Sequence, residues 1–372
     1  MTLTTTVKLI NPYGSVQLEI CDEDFQAAGF EFGDITDVLF ENGYELKQVP
    51  YHDGFYVKRG KPIIVSYSED PNPYICRNYI NMAAEGKLEA GMKVYITLIE
   101  KGTRLSIQKA RSIKYTNTRS DYSTDDVFAN ARMVRAGNMK EGILFRSASP
   151  FDPSIQRYHY ADDFIERNHI NTILDISDDE ERIKGYVLAD ADEENDYTLS
   201  PYALGLIKAN RVIPVMLTID YQSDPFLAKL VRGLERMAEE EGPYLVNCLE
   251  GKDRTGFVCA LLEALSGADY ESIAGDYMVT FDNYFKINID NAPVNYYMQI
   301  LENVDEMLRF IMEMPFLKLP DKHPDVEEAR ALYYRSVSDF SEIDMEARTI
   351  EFLQGWGMKT EAIMLLRDKL TK

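Results

Sequence analysis

A cysteine and an arginine six positions apart, Cys248 and Arg254, are the residues of this 372-residue sequence whose spacing most clearly suggests chemistry. A thiolate is a strong nucleophile, and a guanidinium is a planar cation that binds two phosphate oxygens at once. The apolar residues 244–246 predict a strand before the cysteine, and residues 257–265, apolar almost all round, predict a buried helix after the arginine. A strand, a tight loop and a helix N-terminus in that order predict an anion-binding loop in which the cysteine attacks phosphorus.

The loop between these two residues has the composition that such a site requires. Its successive backbone N–H groups can bind phosphate oxygens without a net positive charge, and Gly251 allows dihedral angles that a side chain would forbid. The helix N-terminus favours the thiolate form of the cysteine, and the hydroxyl of Thr255 can donate to the departing sulfur. Lys252 is either a solvated loop residue or a recogniser of additional phosphates. We predict that the following residues bind the substrate phosphate: Leu249, Glu250, Gly251, Lys252, Thr255 and Gly256.

The loop resembles the signature of the protein tyrosine phosphatase superfamily, in which a cysteine and five further residues precede arginine, threonine and glycine. Residues 251–256 are most similar to the atypical bacterial tyrosine phosphatases of the lipid-phosphatase-like group. The resemblance covers about residues 127–315 and implies metal-independent hydrolysis of phosphomonoesters without a cofactor. The other segments that carry it are residues 130–132, 142–148, 172–175 and 276–277.

The sequence departs from this family pattern directly before the nucleophile. Relatives usually have a histidine there, which helps to fix the loop and tune the thiol, whereas this chain has Asn247. Asparagine can still form hydrogen bonds to the backbone, but it carries no charge. The resemblance therefore predicts lower activity than in relatives. Arg146, in one of the supporting segments, either binds substrate or pairs with an acid at the sheet edge, and we favour the second role.

A carboxyl group must protonate the leaving oxygen, and three aspartates are candidates. In the usual family plan an aspartate on a separate upstream loop supplies the proton, which points to Asp220 or Asp224. The sequence around Asp224 also predicts a helix N-cap, because a proline follows it. In the lipid-phosphatase-like group the aspartate beside the loop arginine is implicated instead, which here is Asp253. We rank Asp253 first, Asp220 second and Asp224 third.

The function that these residues predict is phosphomonoester hydrolysis through a phosphocysteine intermediate, with protein phosphotyrosine as the first substrate. Phosphoinositides and inositol polyphosphates remain alternatives. Asn247 and the large flanking regions leave open a catalytically weak, phosphate-binding pseudophosphatase module. A sulfur-transfer enzyme of the rhodanese kind is a further alternative, which the arginine-threonine-glycine ending disfavours. The expected ligands are a phosphorylated protein or small phosphomonoester, and phosphate or another oxyanion in the loop.

The chain is expected to contain three regions. Residues 1–118 have short strands and predict a small β-rich accessory domain, a barrel or a sandwich, which resembles the β-barrel domain of the S-adenosylmethionine hydroxide adenosyltransferases. The polar residues 117–126 predict a linker. Residues 127–315 alternate strands and helices, which predicts an α/β catalytic domain with a parallel sheet flanked by helices. Residues 316–372 predict a helical C-terminal extension packed on that domain.

Composition narrows the partners and the location. The formal net charge of −22 disfavours nucleic acid and anionic lipid as partners. No stretch reaches the roughly 18 apolar residues needed to cross a bilayer, and the first residues have no apolar signal segment, so we expect a cytoplasmic protein. The four cysteines and four histidines show neither a disulfide framework nor metal-ligand spacing. The sequence does not indicate an oligomeric state.

Overall fold

A computed structural model describes residues 1–67, 70–192, 194, 196–320 and 323–371 of the chain. Two compact units are present. The first contains residues 1–114 with the described part of 320–324, and the second contains the remaining described residues from 115 onward. Residues 117–126, which the sequence suggested as a linker, therefore belong to the second unit. No helix among the described residues is both long and apolar enough to cross a membrane.

The first unit is a closed seven-stranded barrel with strand order β1-β2-β6-β5-β4-β3-β7. Six of the nine residues of its first strand are β-branched, which suits a pleated, half-buried surface. This barrel confirms the β-rich prediction and decides between a barrel and a sandwich. The strands are β1 (Thr2–Ile10), β2 (Val16–Leu18), β3 (Ile35–Phe40), β4 (Glu45–His52), β5 (Pro62–Val65), β6 (Tyr74–Arg77) and β7 (Lys93–Glu100). Its helices are α1 (Asp22–Ala27), α2 (Met82–Gly86) and α3 (Leu105–Arg111).

The second unit is built on a five-stranded sheet with strand order β11-β10-β12-β9-β8. Its strands are β8 (Arg132–Met133), β9 (Leu144–Ala148), β10 (Thr172–Asp175), β11 (Val212–Pro214) and β12 (Tyr244–Cys248). The four strands β9 to β12 pair in parallel, as predicted, and β12 lies between β10 and β9. The short edge strand β8 pairs antiparallel to β9, so the sheet is mixed and not wholly parallel.

Helices surround this sheet, as the alternating pattern predicted. They are α4 (Asp125–Phe128), α5 (Tyr158–Arg167), α6 (Glu180–Asp190), α7 (Pro201–Lys208), α8 (Asp224–Glu239), α9 (Asp253–Leu265), α10 (Tyr270–Phe285), α11 (Pro293–Gln299), α12 (Asp305–Ile311), α13 (Val326–Ser341), α14 (Met345–Gly355) and α15 (Thr360–Thr371). A π-helical segment, Ile300–Val304, joins α11 to α12. The N-cap of α8 is Ser223, so Asp224 is the first residue inside the helix and not the cap that the sequence suggested.

Helix α9 is the central helix of the second unit. Every residue from 255 to 265 is buried, which confirms the prediction from its apolar sequence. It packs against strand β12 on one side and against α10, α12 and α14 on the others. Because a helix surrounded in this way cannot shift without disturbing several neighbours, its N-terminus is a fixed point of the fold.

Candidate active site

Cys248 is the last residue of the central strand β12, at the edge where the parallel strands end. Its exposed fraction is only 3%. Residues 249–252 form a tight loop, and α9 begins directly after it at Asp253. Ligands of parallel α/β sheets bind at this carboxyl edge. The strand, loop and helix predicted from the sequence therefore place Cys248 and the N-terminus of α9 around one small volume.

All four carbonyl oxygens of residues 249–252 are occupied by hydrogen bonds that come from outside the loop. In chain order, their donors are Ser149 N (3.1 Å), Tyr284 Oη (2.7 Å), Asn130 Nδ2 (3.0 Å) and Gly256 N (2.8 Å). The oxygens therefore point away from the centre of the loop. In a trans peptide the carbonyl and the following N–H point in opposite directions, so the N–H groups face inward.

The backbone N–H groups of residues 249–255 donate no hydrogen bond to any other residue that the structure describes. The last three belong to the first turn of α9, where N–H groups have no partner within the helix. A ring of inward N–H groups at the positive end of a 13-residue helix is a binding site for a tetrahedral anion. This arrangement does not depend on net charge, which reconciles the site with an acidic protein.

Gly251 is required at its position for two independent reasons. Its φ of +66° lies in the left-handed region, which side chains rarely adopt. A Cβ atom there would also lie 2.3 Å from the carbonyl oxygen of Ser147 in strand β9. The loop thus passes so close to the neighbouring strand that only glycine fits.

A buried group of charges supports the loop from behind. Arg146 and Arg132 share the carboxylate of Asp276, with Nη1 of Arg146 at 2.6 Å and Nε of Arg132 at 3.0 Å. Burial alone would raise the pKa of Asp276, but the two arginines outweigh it and lower this pKa to about 2. Arg146 Nη2 also donates to the carbonyl of Gly251 at 3.1 Å. Of the two roles considered for Arg146, pairing with an acid is the one observed, but the acid lies on helix α10 and not at the sheet edge, and Arg146 also holds the loop.

Two more residues of α9 lie beside this charged group. Glu263 is fully buried, and burial, followed by repulsion from Asp276, raises its pKa well above the ordinary value. This rise favours the protonated, uncharged form of Glu263, and in that form two arginines face the single carboxylate of Asp276. Burial also raises the pKa of Cys259 to about 12, so this thiol is an inert core residue. With Glu263 protonated, the space behind the loop carries a net positive charge.

The outer rim of the loop has the opposite character. Lys252 Nζ lies 3.0 Å from Oε2 of Glu250 and 3.6 Å from Oδ2 of Asp253. The hydroxyl of Tyr115 donates to the other carboxylate oxygen of Glu250. Burial would raise the pKa of Glu250, but Lys252 and the Tyr115 hydroxyl outweigh it and lower this pKa. The rim therefore carries two carboxylates for one ammonium group.

Arg254 occupies the first turn of α9 and connects it to the segment after β11. Its Nη1 donates to the carbonyl of Leu217 at 3.1 Å. Farther along this segment, the ring of Tyr221 stacks on Phe257 of α9 with centroids 4.9 Å apart. The segment that carries Asp220 is therefore held against the start of α9.

The three candidate acids differ in their relation to the loop. Asp253 is the first residue of α9 itself, and its side chain is 53% exposed. Asp220 lies on the segment that contacts Arg254, and its carboxylate accepts a hydrogen bond from the N–H of Gln222 at 3.3 Å. Asp224 is exposed at the start of α8. The geometry links Asp253 and the segment of Asp220 to the loop, and it gives no such link for Asp224.

Thr255 and Asn247 are both completely buried beside the nucleophile. The hydroxyl of Thr255 forms no hydrogen bond with any described residue, Cys248 included, so the contact to sulfur expected from the sequence is not formed. Asn247 lies in register with Asp175 of β10 and Ser147 of β9. The Asn247 amide makes no hydrogen bond of ordinary length to the described residues. It nevertheless lowers the pKa of Asp175, which partly offsets the increase caused by burial.

The sequence did not reveal the residues that hold the segment 115–122 beside the site. Arg157 is completely buried, donates to the carbonyl of Thr116 at 2.9 Å and lies 4.4 Å from the ring centres of Phe128 and Tyr284. This cage of aromatic rings stabilises the guanidinium and fixes the segment from which Tyr115 reaches Glu250. The polar composition of the segment concealed this role.

Two solved structures are similar to parts of the chain: an uncharacterized conserved protein from Thermotoga maritima (18% identity, 26% of this chain, 36% of that one, TM-score 0.24) and the core catalytic domain of the PP-IP phosphatase SIW14 from S. cerevisiae in complex with citrate (17% identity, 49% and 95%, TM-score 0.26). The match thus spans about a third of the length of the first, and neither similarity is strong enough to bear on the function. No curated protein matches the chain.

A family model gives the decisive comparison. Residues 128–372, more than half of the chain, match the model described as the tyrosine phosphatase family. The matched region contains the complete loop, its supporting arginines and helix α9. The chain therefore belongs to the tyrosine phosphatase family.

Proposed function

We propose that this protein is a phosphatase that hydrolyses phosphomonoesters through a phosphocysteine intermediate on Cys248. The observation that carries the proposal is the loop after β12, whose carbonyls all point outward and whose N–H groups surround the end of the strand. Arg254 follows at the start of α9. Membership of the tyrosine phosphatase family supports phosphatase activity.

In the first step the thiolate of Cys248 attacks phosphorus in line with the leaving oxygen. The loop N–H groups and the guanidinium of Arg254 hold the three remaining phosphate oxygens, where negative charge is spread in the transition state. The sulfur–phosphorus bond forms as the phosphorus–oxygen bond breaks. The leaving oxygen takes a proton from a carboxylic acid, which we assign to Asp253, with Asp220 as the alternative.

In the second step water hydrolyses the phosphocysteine. The carboxylate left by the first step takes a proton from the water, and its oxygen attacks phosphorus. The sulfur–phosphorus bond breaks and the thiolate is restored, assisted by the hydroxyl of Thr255, which has no other partner among the described residues. The products are an alcohol or phenol and inorganic phosphate.

Phosphotyrosine in proteins is the substrate that we propose. A phenol, with a pKa of about 10, is a much better leaving group than an aliphatic alcohol. An aryl phosphate is therefore the substrate class that depends least on the carboxyl group that acts as the acid. Inositol phosphates and phosphoinositides are the alternative substrates, and the charges on the loop rim affect how such polyanions bind.

A second candidate function is a phosphate-binding module with very slow turnover. Asn247 favours it, because an uncharged amide is buried where relatives have a histidine. Hydrolysis of p-nitrophenyl phosphate without added metal, by wild type and by Cys248→Ser, each with and without vanadate, separates the two. We expect turnover that vanadate blocks and that Cys248→Ser lacks. Vanadate binding by an inactive wild type would instead establish the binding module.

A further inference from the structure

Lys252 is the cation at the rim that is best placed to bind a second phosphate, but its charge is already engaged. It forms ion pairs with Glu250 and Asp253, and its Nζ lies 5.5 Å from the ring centre of Phe285. Only 18% of its side chain is exposed. A second phosphate group would have to displace two carboxylates before it reached this ammonium group.

Glu250 is held in place as a charged group by more than one contact. Lys252 approaches one carboxylate oxygen, and the hydroxyl of Tyr115 donates to the other. The ring of Tyr115 is fixed by edge contacts with Tyr284 at 4.8 Å and Phe285 at 5.7 Å. The side chain of Glu250 nevertheless remains 24% exposed, so one edge of the carboxylate is open to a substrate.

The charge of the whole second unit has the same sign as the rim. Residues 115–372 contain 27 lysines and arginines against 47 aspartates and glutamates, whereas residues 1–114 contain 13 against 15. Nearly all the net negative charge of the protein therefore belongs to the region with the phosphate site. A field of this sign repels a ligand that carries several phosphates and attracts one that carries lysine or arginine.

We propose that Glu250 makes the rim of the loop a charge filter that accepts a phosphate flanked by basic residues and rejects polyanionic phosphates. The inference rests on the proposed phosphatase function and deepens it, because it names a basic phosphopeptide as the substrate class. The buried N–H groups bind the single phosphate. The partly exposed carboxylate of Glu250 faces the residues on either side of it.

The test uses two phosphotyrosine peptides that differ only in flanking residues, lysines in one and glutamates in the other, and inositol hexakisphosphate as a polyanion. We expect kcat/KM of the 372-residue protein to be at least about tenfold higher for the lysine peptide at low salt. The preference declines as salt is added, because exposed charges are screened. We expect inositol hexakisphosphate to be the poorest substrate.

The variant Glu250→Gln sharpens the test, because the ratio between the two peptides is independent of any general loss of activity. We expect the ratio to fall by about threefold or more. Glu351→Gln, an exposed carboxylate on α14, is the matched control and leaves the ratio unchanged. Equal kcat/KM for the two peptides, or a preference for inositol hexakisphosphate, would overturn the filter.

Failure of the filter and failure of the proposed function give different results. Turnover of p-nitrophenyl phosphate without a preference between the peptides contradicts the filter alone. If no substrate is hydrolysed, the proposed function fails, and the filter is tested by the two peptides' Kd values for Cys248→Ser. Tighter binding of the lysine peptide then supports the filter, and equal binding overturns it.

Discussion

The inner and outer sides of the same loop contrast sharply. On the inner side, N–H groups face the thiol of Cys248, and behind them two buried arginines, Arg132 and Arg146, share the carboxylate of Asp276. On the outer side, the side chains of Glu250 and Asp253 surround the single ammonium group of Lys252. This difference indicates that the backbone N–H groups and the buried charges bind the phosphate, whereas the rim determines which phosphate-bearing molecules are accepted as substrates. Changes on the inner side should therefore affect all substrates alike.

The largest effect is expected for Arg254→Ala. This change removes the bidentate clamp on the transferring phosphate, so kcat/KM should fall by about 10³-fold for every substrate. Arg254→Lys should recover little, because an ammonium group cannot bind two oxygens in one plane. Steady-state kinetics on p-nitrophenyl phosphate and on a phosphotyrosine peptide measures both. A loss of only a few-fold would show that Arg254 does not hold the transferring phosphate.

Gly251→Ala should abolish vanadate binding and destabilise the fold. The positive φ and the close approach to Ser147 together should cost about 3 kcal/mol or more of the free energy of unfolding. Gly142→Ala is the matched control, because Gly142 has a φ of +76° but open space around a Cβ atom. It should cost only about 1 kcal/mol. Equal losses in urea unfolding would show that the loop does not pack against β9 as described.

Asp253→Asn should alter the dependence on leaving group, because the general acid matters most when the leaving oxygen is a poor one. For a series of aryl phosphates, kcat should fall by about 10²-fold for the poorest leaving groups and by much less for p-nitrophenol. Asp220→Asn is the rival variant and Asp224→Asn the control. An unchanged slope for Asp253→Asn, with a changed slope for Asp220→Asn, would transfer the role of acid to Asp220.

The smallest effect is expected for Glu263. Burial and repulsion from Asp276 raise the pKa of this residue in the folded state. Since the unfolded pKa is about 4.3, unfolding above that pH releases a proton, and stability falls as the pH rises towards the folded pKa. Glu263→Gln should remove this loss, so its advantage over wild type in urea unfolding should grow as the pH rises above about 5. The gain is at most about 1.4 kcal/mol per pH unit. An advantage that shrinks with pH would mean that Glu263 is ionised in the fold.

Much of the site could be predicted because its signals are local. Cys248, Gly251 and Arg254 lie within seven positions, and residues 257–265 carry the apolar pattern of the buried helix that follows. One-dimensional spacing is enough here, since a strand, a loop and a helix in succession fix their own geometry. The start of α8 was missed by one position because Ser223 and Asp224 both suit an N-cap.

The other side of the loop could not be predicted, because its contacts join distant residues. Tyr115 reaches Glu250 across 135 positions, and Arg146 reaches Asp276 across 130. No periodicity encodes such pairs, and polar residues around Tyr115 resembled a linker. The antiparallel edge strand β8 is only two residues long, which is too short to give an alternating pattern.

The central claim is that the phosphoryl group of the substrate is transferred to the sulfur of Cys248, which forms a covalent intermediate. The most direct test is to denature the wild type rapidly during turnover of p-nitrophenyl phosphate and to determine by mass spectrometry which residue is modified. We predict one phosphoryl group on the peptide that contains Cys248, and none in Cys248→Ser. Sustained turnover without phosphoryl on Cys248, or with phosphoryl on another residue, would contradict the account.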